Sequence, residues 1–142
     1  MTTVRQLLDQ KGHKILSIAK GATVFDAIKM MADNDVGSLL VMDGDALIGL
    51  VTERHYARNV FLKGKSSPTT RVEEIMRAAV LVARPEHTVE ECMAMMSRNR
   101  VRHLPVLDGG KIVGLVSIGD LVNSQIADQK FVIEQLEHYI RS

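Results

Sequence analysis

The feature that most constrains this chain is that it repeats itself. Val24 and Val89, Met31 and Met96, Val36 and Val101, Asp43 and Asp108, and Gly49 and Gly114 each stand 65 positions apart. A window of 26 positions, Val24 to Gly49, therefore recurs without insertion or deletion. Self-similarity at one fixed offset predicts one supersecondary unit used twice. The expectation is two halves of the same fold packed about a pseudo-two-fold axis. One half of about 60 residues buries only a marginal core, so the halves are expected to fold as a pair.

Each copy reads as helix–β–α–β–β–α. Thr3–Gln10 carries Val4, Leu7 and Leu8 on one side, and Lys11-Gly12 ends it. Ile15–Ile18 follows as a short strand, and Thr23 caps a helix to Asn34 with Val24, Ala27, Ile28 and Met31 at helical spacing. Ser38–Met42 and Ala46–Val51 flank the turn Asp43-Gly44-Asp45 as a hairpin, and Thr52 begins a helix through Leu62. The polar run Lys63–Pro68 reads as the linker between halves. The second copy gives a helical turn at Arg71–Met76, a strand at Val80–Val82 and a helix at Val89–Asn99. It continues with His103–Leu107 and Ile112–Val116 around Asp108-Gly109-Gly110, then a helix from Ile118 to Ala127. Asp128 is read as the cap of a separate terminal helix striped by Val132, Leu136, Tyr139 and Ile140. The division expected is 1–65, 66–127 and a C-terminal amphipathic helix over 128–142. Eight methionines, Met30, Met31, Met93, Met95 and Met96 among them, fall largely on the two central helices. They read as core filling and, where off the main stripe, as a face for self-association.

Composition narrows the function classes. The formal net charge is +1 without a basic or acidic block, so neither a nucleic-acid nor a membrane partner is expected. No apolar run approaches a membrane span or a signal-peptide core, and the single cysteine, Cys92, cannot pair within the chain; a cytoplasmic location is the expectation. None of the phosphate-loop, dinucleotide, zinc-protease or serine-hydrolase signatures occurs, the five histidines lack metal-ligand spacing, and Cys92 falls mid-helix. No enzyme activity and no metal are expected.

The chemistry concentrates where the second hairpin ends. Ser117-Ile118-Gly119-Asp120 places a hydroxyl and a carboxylate at a helix mouth. Backbone N–H groups there attract anions, and a carboxylate accepts from hydroxyls such as those of a ribose. Ser and Asp are equally ordinary helix caps.

VRHLPVLDGGKIVGLVSIGDLV resembles the signature of the CBS (cystathionine-β-synthase) domain, and VGSLLVMDGDALIGLVTERHYAR is similar to its first copy. The resemblance spans Val4 to Ala127 and implies a stand-alone CBS pair, or Bateman module. The fold it implies is α/β (α+β): two tandem CBS domains, each a small three-stranded sheet packed on helices. It implies two clefts between the halves that bind adenosine-containing ligands: AMP first, then ADP, ATP, NAD or S-adenosylmethionine. Carried over, Ser117 and Asp120, with Ile118 beside them, hold phosphate and ribose. Ile15, Leu16, Val36, Gly37 and Ser38 form the adenine side. Arg102 and His103 stand where basic groups meet phosphate. The mirror cleft would use Thr52, Arg54, Arg58, Val80 and Val101, but His55 replaces the family's aspartate there. A neutral imidazole cannot accept two charge-assisted hydroxyl bonds worth roughly 1.5–3 kcal/mol each, so that cleft is expected to be weaker, with His55 a candidate pH-sensitive group. The resemblance also implies a disc-like homodimer through helical faces and an effector protein of unknown identity. The competing expectation is a structural dimerisation module without a nucleotide site.

Overall fold

The computed structural model describes residues 1–78 and 80–141. Two compact units are present, one formed by 15–80 and the other by 1–14 together with 81–142. The repeat survives as folded geometry, but the packing units do not follow sequence order at 65/66.

In the 15–80 unit, β1 (Ser17–Ala19) runs parallel to β2 (Ser38–Asp43), which pairs antiparallel with β3 (Ala46–Thr52). Gly44 turns the hairpin at φ 60°, a conformation that glycine reaches without a Cβ clash. Helix α2 (Val24–Asn34) starts where the Thr23 hydroxyl accepts from the Asp26 N–H, and it buries Val24, Ala27 and Met31. These pack with Ile18, Leu39, Val41, Val51 and Val60 into one core. After β3 comes a single α-turn, α3 (Glu53–Tyr56), continued as a π-helical turn over Ala57–Phe61. The expected regular helix through Leu62 is thus widened by i→i+5 bonding: the Leu62 and Lys65 N–H groups donate to Ala57 and Val60 carbonyls. A 3-10 turn (Val72–Glu74) closes the core with Val72 and Ile75, its Val72 N–H donating to Ala22 O at 2.9 Å.

The second unit takes α1 (Val4–Lys11), α4 (Val89–Asn99), β4 (His103–Asp108), β5 (Lys111–Ser117) and α5 (Ile118–Arg141). Its core joins Val4, Leu7 and Leu8 to Val89, Cys92, Met96, Leu104, Val106, Val116 and Leu121. Helix α1 does here what the Val72 turn does in the other unit. Its Val4 N–H donates to His87 O at 2.8 Å, as Val72 donates to Ala22. Leu8 fills the space above Gly114, as Met76 fills that above Gly49; a Cβ at Gly114 would lie 2.6 Å from a Leu8 methyl. The leading segment of each repeat therefore completes the unit built from the other repeat.

Three further expectations change. Val80–Val82 forms no strand: a lone parallel bridge joins Ala83 to Val106, so this sheet has two strands rather than three. The Ala83 N–H bonds Pro105 O, and Ala83 O accepts from the Leu107 N–H, with Pro85 two residues on. The Arg71–Met76 helical turn is only the short 3-10 turn. Asp128 caps nothing: α5 runs unbroken for 24 residues, since no glycine or proline interrupts Leu121–Arg141, and the Asp128 carboxylate accepts from the Thr2 hydroxyl at 2.8 Å. Ser142 lies outside the described residues. No helix of the described residues is long and apolar enough to cross a membrane.

Candidate functional site

The two strand-to-helix corners at the ends of β3 and β5 are built alike. At β5–α5, the Asp120 N–H donates to Ser117 Oγ at 3.2 Å and the Ser117 N–H donates to Asp120 Oδ2 at 2.9 Å. At β3–α3, sixty-five positions earlier (117−52, 120−55), the His55 N–H donates to Thr52 Oγ1 at 3.1 Å and the Thr52 N–H donates to His55 Nδ1 at 3.2 Å. Both are reciprocal capping boxes, which satisfy helix N–H groups that lack intrahelical partners. His55 can take part only with Nδ1 unprotonated, so its ring proton sits on Nε2.

The corners differ in charge. Lys11, from the end of α1, places Nζ 2.5 Å from Asp120 Oδ2 and donates to Leu115 O at 2.6 Å. Burial would raise the Asp120 pKa, but the Lys11 ammonium and the Ser117 donors outweigh it and hold the carboxyl below its usual range. The Lys11 and Ser117 contacts to Asp120 fall on Oδ2. Its side chain is 24% exposed and that of Lys11 37%, so the pair is half-screened and contributes little beyond a surface ion pair. At the other corner, burial first, then the positive charges of Arg77, Arg54 and Arg58, push the His55 pKa down. One corner thus presents a carboxylate bound to an ammonium, the other a neutral imidazole among three guanidinium groups.

Around Asp120, the Ile118 N–H donates to Arg102 O at 2.9 Å, and His103 opens β4 directly across from Ser117. Ser117, Ile118, Asp120, Arg102 and His103 form one corner, with Arg102 exposed and His103 half-buried, and Val101 half-buried just before them. In the 15–80 unit, the Glu53 N–H donates to Gly37 O at 3.1 Å and Ser38 pairs with Thr52, so Val36, Gly37 and Ser38 flank the His55 corner. Ser38 is buried and Gly37 exposed. Leu16 leads into β1, its carbonyl accepting from the Leu40 N–H, and Ile15 and Leu16 are half-buried. Arg54 and Arg58 are exposed and Val80 half-buried. Sequence reasoning missed Lys11 and Arg77. Lys11 read as the end of a helix, and no residue pattern indicates that α1 folds back onto β5.

Elsewhere the chemistry is muted. Cys92 is buried, and burial pushes its thiol pKa up to about 11. Among the described residues no cluster of three or more His, Cys, Asp or Glu side chains is placed to hold a metal ion.

The sequence model of the CBS domain matches twice, over residues 4–61 and 72–126. A protein with CBS domains from Burkholderia ambifaria, provisionally described as a signal-transduction protein, superposes with a TM-score of 0.86 at 56% identity, covering 90% of this chain and 96% of that one. The CBS domain structure designated NE2398 gives a TM-score of 0.84 at 46% identity, over 88% of this chain and 98% of its own. The mitochondrial CBS domain-containing protein CBSX3 of Arabidopsis thaliana is 34% identical over 99% of this chain and 72% of its own length.

Proposed function

Because the chain belongs to the CBS domain family, we propose that it is a non-catalytic regulatory module that binds an adenosine-containing ligand through the Ser117/Asp120 corner. AMP is the first candidate; ADP, ATP, NAD and S-adenosylmethionine share the part recognised. The observation that carries the reading is the state of Asp120. It is an ionised carboxylate whose Oδ2 is held by the Lys11 ammonium and the Ser117 N–H at the helix mouth. A ribose hydroxyl can donate to Oδ1 without breaking the cap. The Lys11 ammonium and the exposed Arg102 supply positive charge for a phosphate. The donor set fits such a ligand.

The Thr52/His55 corner is the weaker partner in this reading. Its imidazole offers no second acceptor, so losing one charge-assisted bond costs a ribose ligand about 10- to 100-fold in affinity. Signalling is proposed to be a population shift, in which ligand favours one presentation of the helical faces to a partner. A homodimer through the methionine-bearing helices fits this scheme.

One observation favours a second reading, a structural module. The Asp120–Lys11 pair and the capping box serve folding without any ligand. A thermal-shift panel of AMP, ADP, ATP, NAD, S-adenosylmethionine and GMP separates the two. Ligand at 100 times Kd adds about 2.7 kcal/mol, or roughly 5–10 °C in Tm at this chain length. The adenosine ligands should raise Tm, and Asp120→Ala should abolish the rise. A flat response across the panel supports the structural module.

A further inference from the structure

The distal part of α5 has no role in either corner. From Gln129 to Arg141 every residue is exposed, following Asp128, whose carboxylate accepts from the Thr2 hydroxyl. Yet Phe131, Val132, Ile133, Leu136 and Ile140 on this segment, and Ile126 just before it, are each at least 55% exposed. Single exposed apolar residues need no explanation, but a contiguous patch does.

The pattern is regular. Val122, Ile126, Gln129, Ile133, Leu136 and Ile140 follow each other at spacings of 4, 3, 4, 3 and 4. This is a heptad seam with isoleucine at every a position and Val122, Gln129 and Leu136 at d. A shallow surface hollow lined by Asp128, Gln129, Val132 and Ile133 lies along its centre. The helix spans 24 residues, about 36 Å, long enough to present all six seam positions to one partner.

We propose that this seam is covered by α5 of a second copy of the chain, in an antiparallel two-stranded coiled coil. The flanking positions decide both occupant and direction. One flank (e) carries Lys130 and Glu137; the other (g) carries Gln125, Val132 and Tyr139 and no charge. In an antiparallel pair each flank meets its own kind. Lys130 faces Glu137 of the second copy, Glu137 faces Lys130 of the second copy, and Val132 meets its own equivalent. In the layers, Ile126 meets Leu136, Ile133 meets Gln129 and Ile140 meets Val122. A parallel pair would oppose the charged flank to Gln125 and Val132 and form no ion pair. The seam is therefore complementary to itself in one direction only, as a closed two-fold interface requires.

The test uses the full chain in sedimentation equilibrium. Ile133→Asp/Leu136→Asp alters two exposed positions outside the core and should halve the assembly mass while circular dichroism of the folded units is unchanged. Lys130→Glu sets like charges against each other twice and should weaken association on the order of 10-fold; adding Glu137→Lys should restore it. Equal masses for the wild type and the double aspartate variant would overturn the proposal. So would a Lys130→Glu chain that associates as tightly as the wild type, because that is the behaviour of a parallel pair.

Discussion

Replacing His55 by aspartate gives the β3–α3 corner the side chain that the β5–α5 corner already has. The substituted carboxylate would take the Thr52 N–H now bonded to Nδ1 at 3.2 Å, as Asp120 takes the Ser117 N–H at 2.9 Å. It would bring a negative charge to the first turn of a helix and face Arg54, Arg58 and Arg77, the groups that now depress the His55 pKa. A charge in the first turn contributes about 0.3–1 kcal/mol, so at pH 7.5 Tm should rise by roughly 1–4 °C. The pH dependence is sharper. His55 has a folded pKa below its unfolded value, so the unfolded chain binds the extra proton. The wild type therefore loses stability as pH falls through the ordinary histidine range, by at most about 1.4 kcal/mol per pH unit. Protonation also removes the lone pair that accepts from Thr52. The variant lacks that loss, since a carboxyl ordinarily titrates at about pH 4, below the range assayed. Urea unfolding of both chains at pH 7.5, 6.5 and 5.5 should show a stability gap that widens on acidification. A constant gap, or a variant less stable than the wild type at pH 7.5, would refute the capping-box and burial argument.

Gly114→Ala should destabilise by about 1–3 kcal/mol in urea, because the new methyl would meet the Leu8 side chain that ties α1 to β5; an unchanged midpoint would mean α1 does not pack there. Arg100 ends α4 at φ 54°, a conformation that suits glycine better than a long side chain. Arg100→Gly should accordingly raise stability by about 0.5–1 kcal/mol in thermal unfolding. Cys92, buried and with its pKa raised, should resist thiol reagents at pH 8 until denaturant unfolds the chain; immediate labelling would contradict the packing described.

The repeat was legible in the sequence to a fine level. The 65-residue offset between Val24 and Val89 carries through to bulges at Val41/Met42 and Val106/Leu107, and to left-handed helix ends at Asp35 and Arg100. Local rules suffice there, because caps, turns and alternation act over a few residues. What sequence did not disclose was where the leading segments go. Val4, Leu7 and Leu8 announce a helix that needs a partner, but nothing in them says that the partner is the surface over Gly114 rather than that over Gly49. Both glycines leave the same gap, and Leu8 fills one while Met76 fills the other. Lys11 was invisible as a site residue for the same reason, since its approach to Asp120 depends on that choice. That Ser117/Asp120 and Thr52/His55 stand at equivalent helix mouths was readable from the two corner segments; the imidazole's reciprocal bond with Thr52 was not, because it depends on the ring's orientation.

The most direct measurement is calorimetric titration of AMP into the wild-type chain and into Asp120→Asn. Asparagine keeps an acceptor for the Ser117 N–H but removes the charge offered to a sugar hydroxyl. The account predicts saturable binding to the wild type at one strong site per chain, weakened about 10- to 100-fold in the variant. Two equally strong sites, no heat at all, or equal affinity in both chains would contradict it.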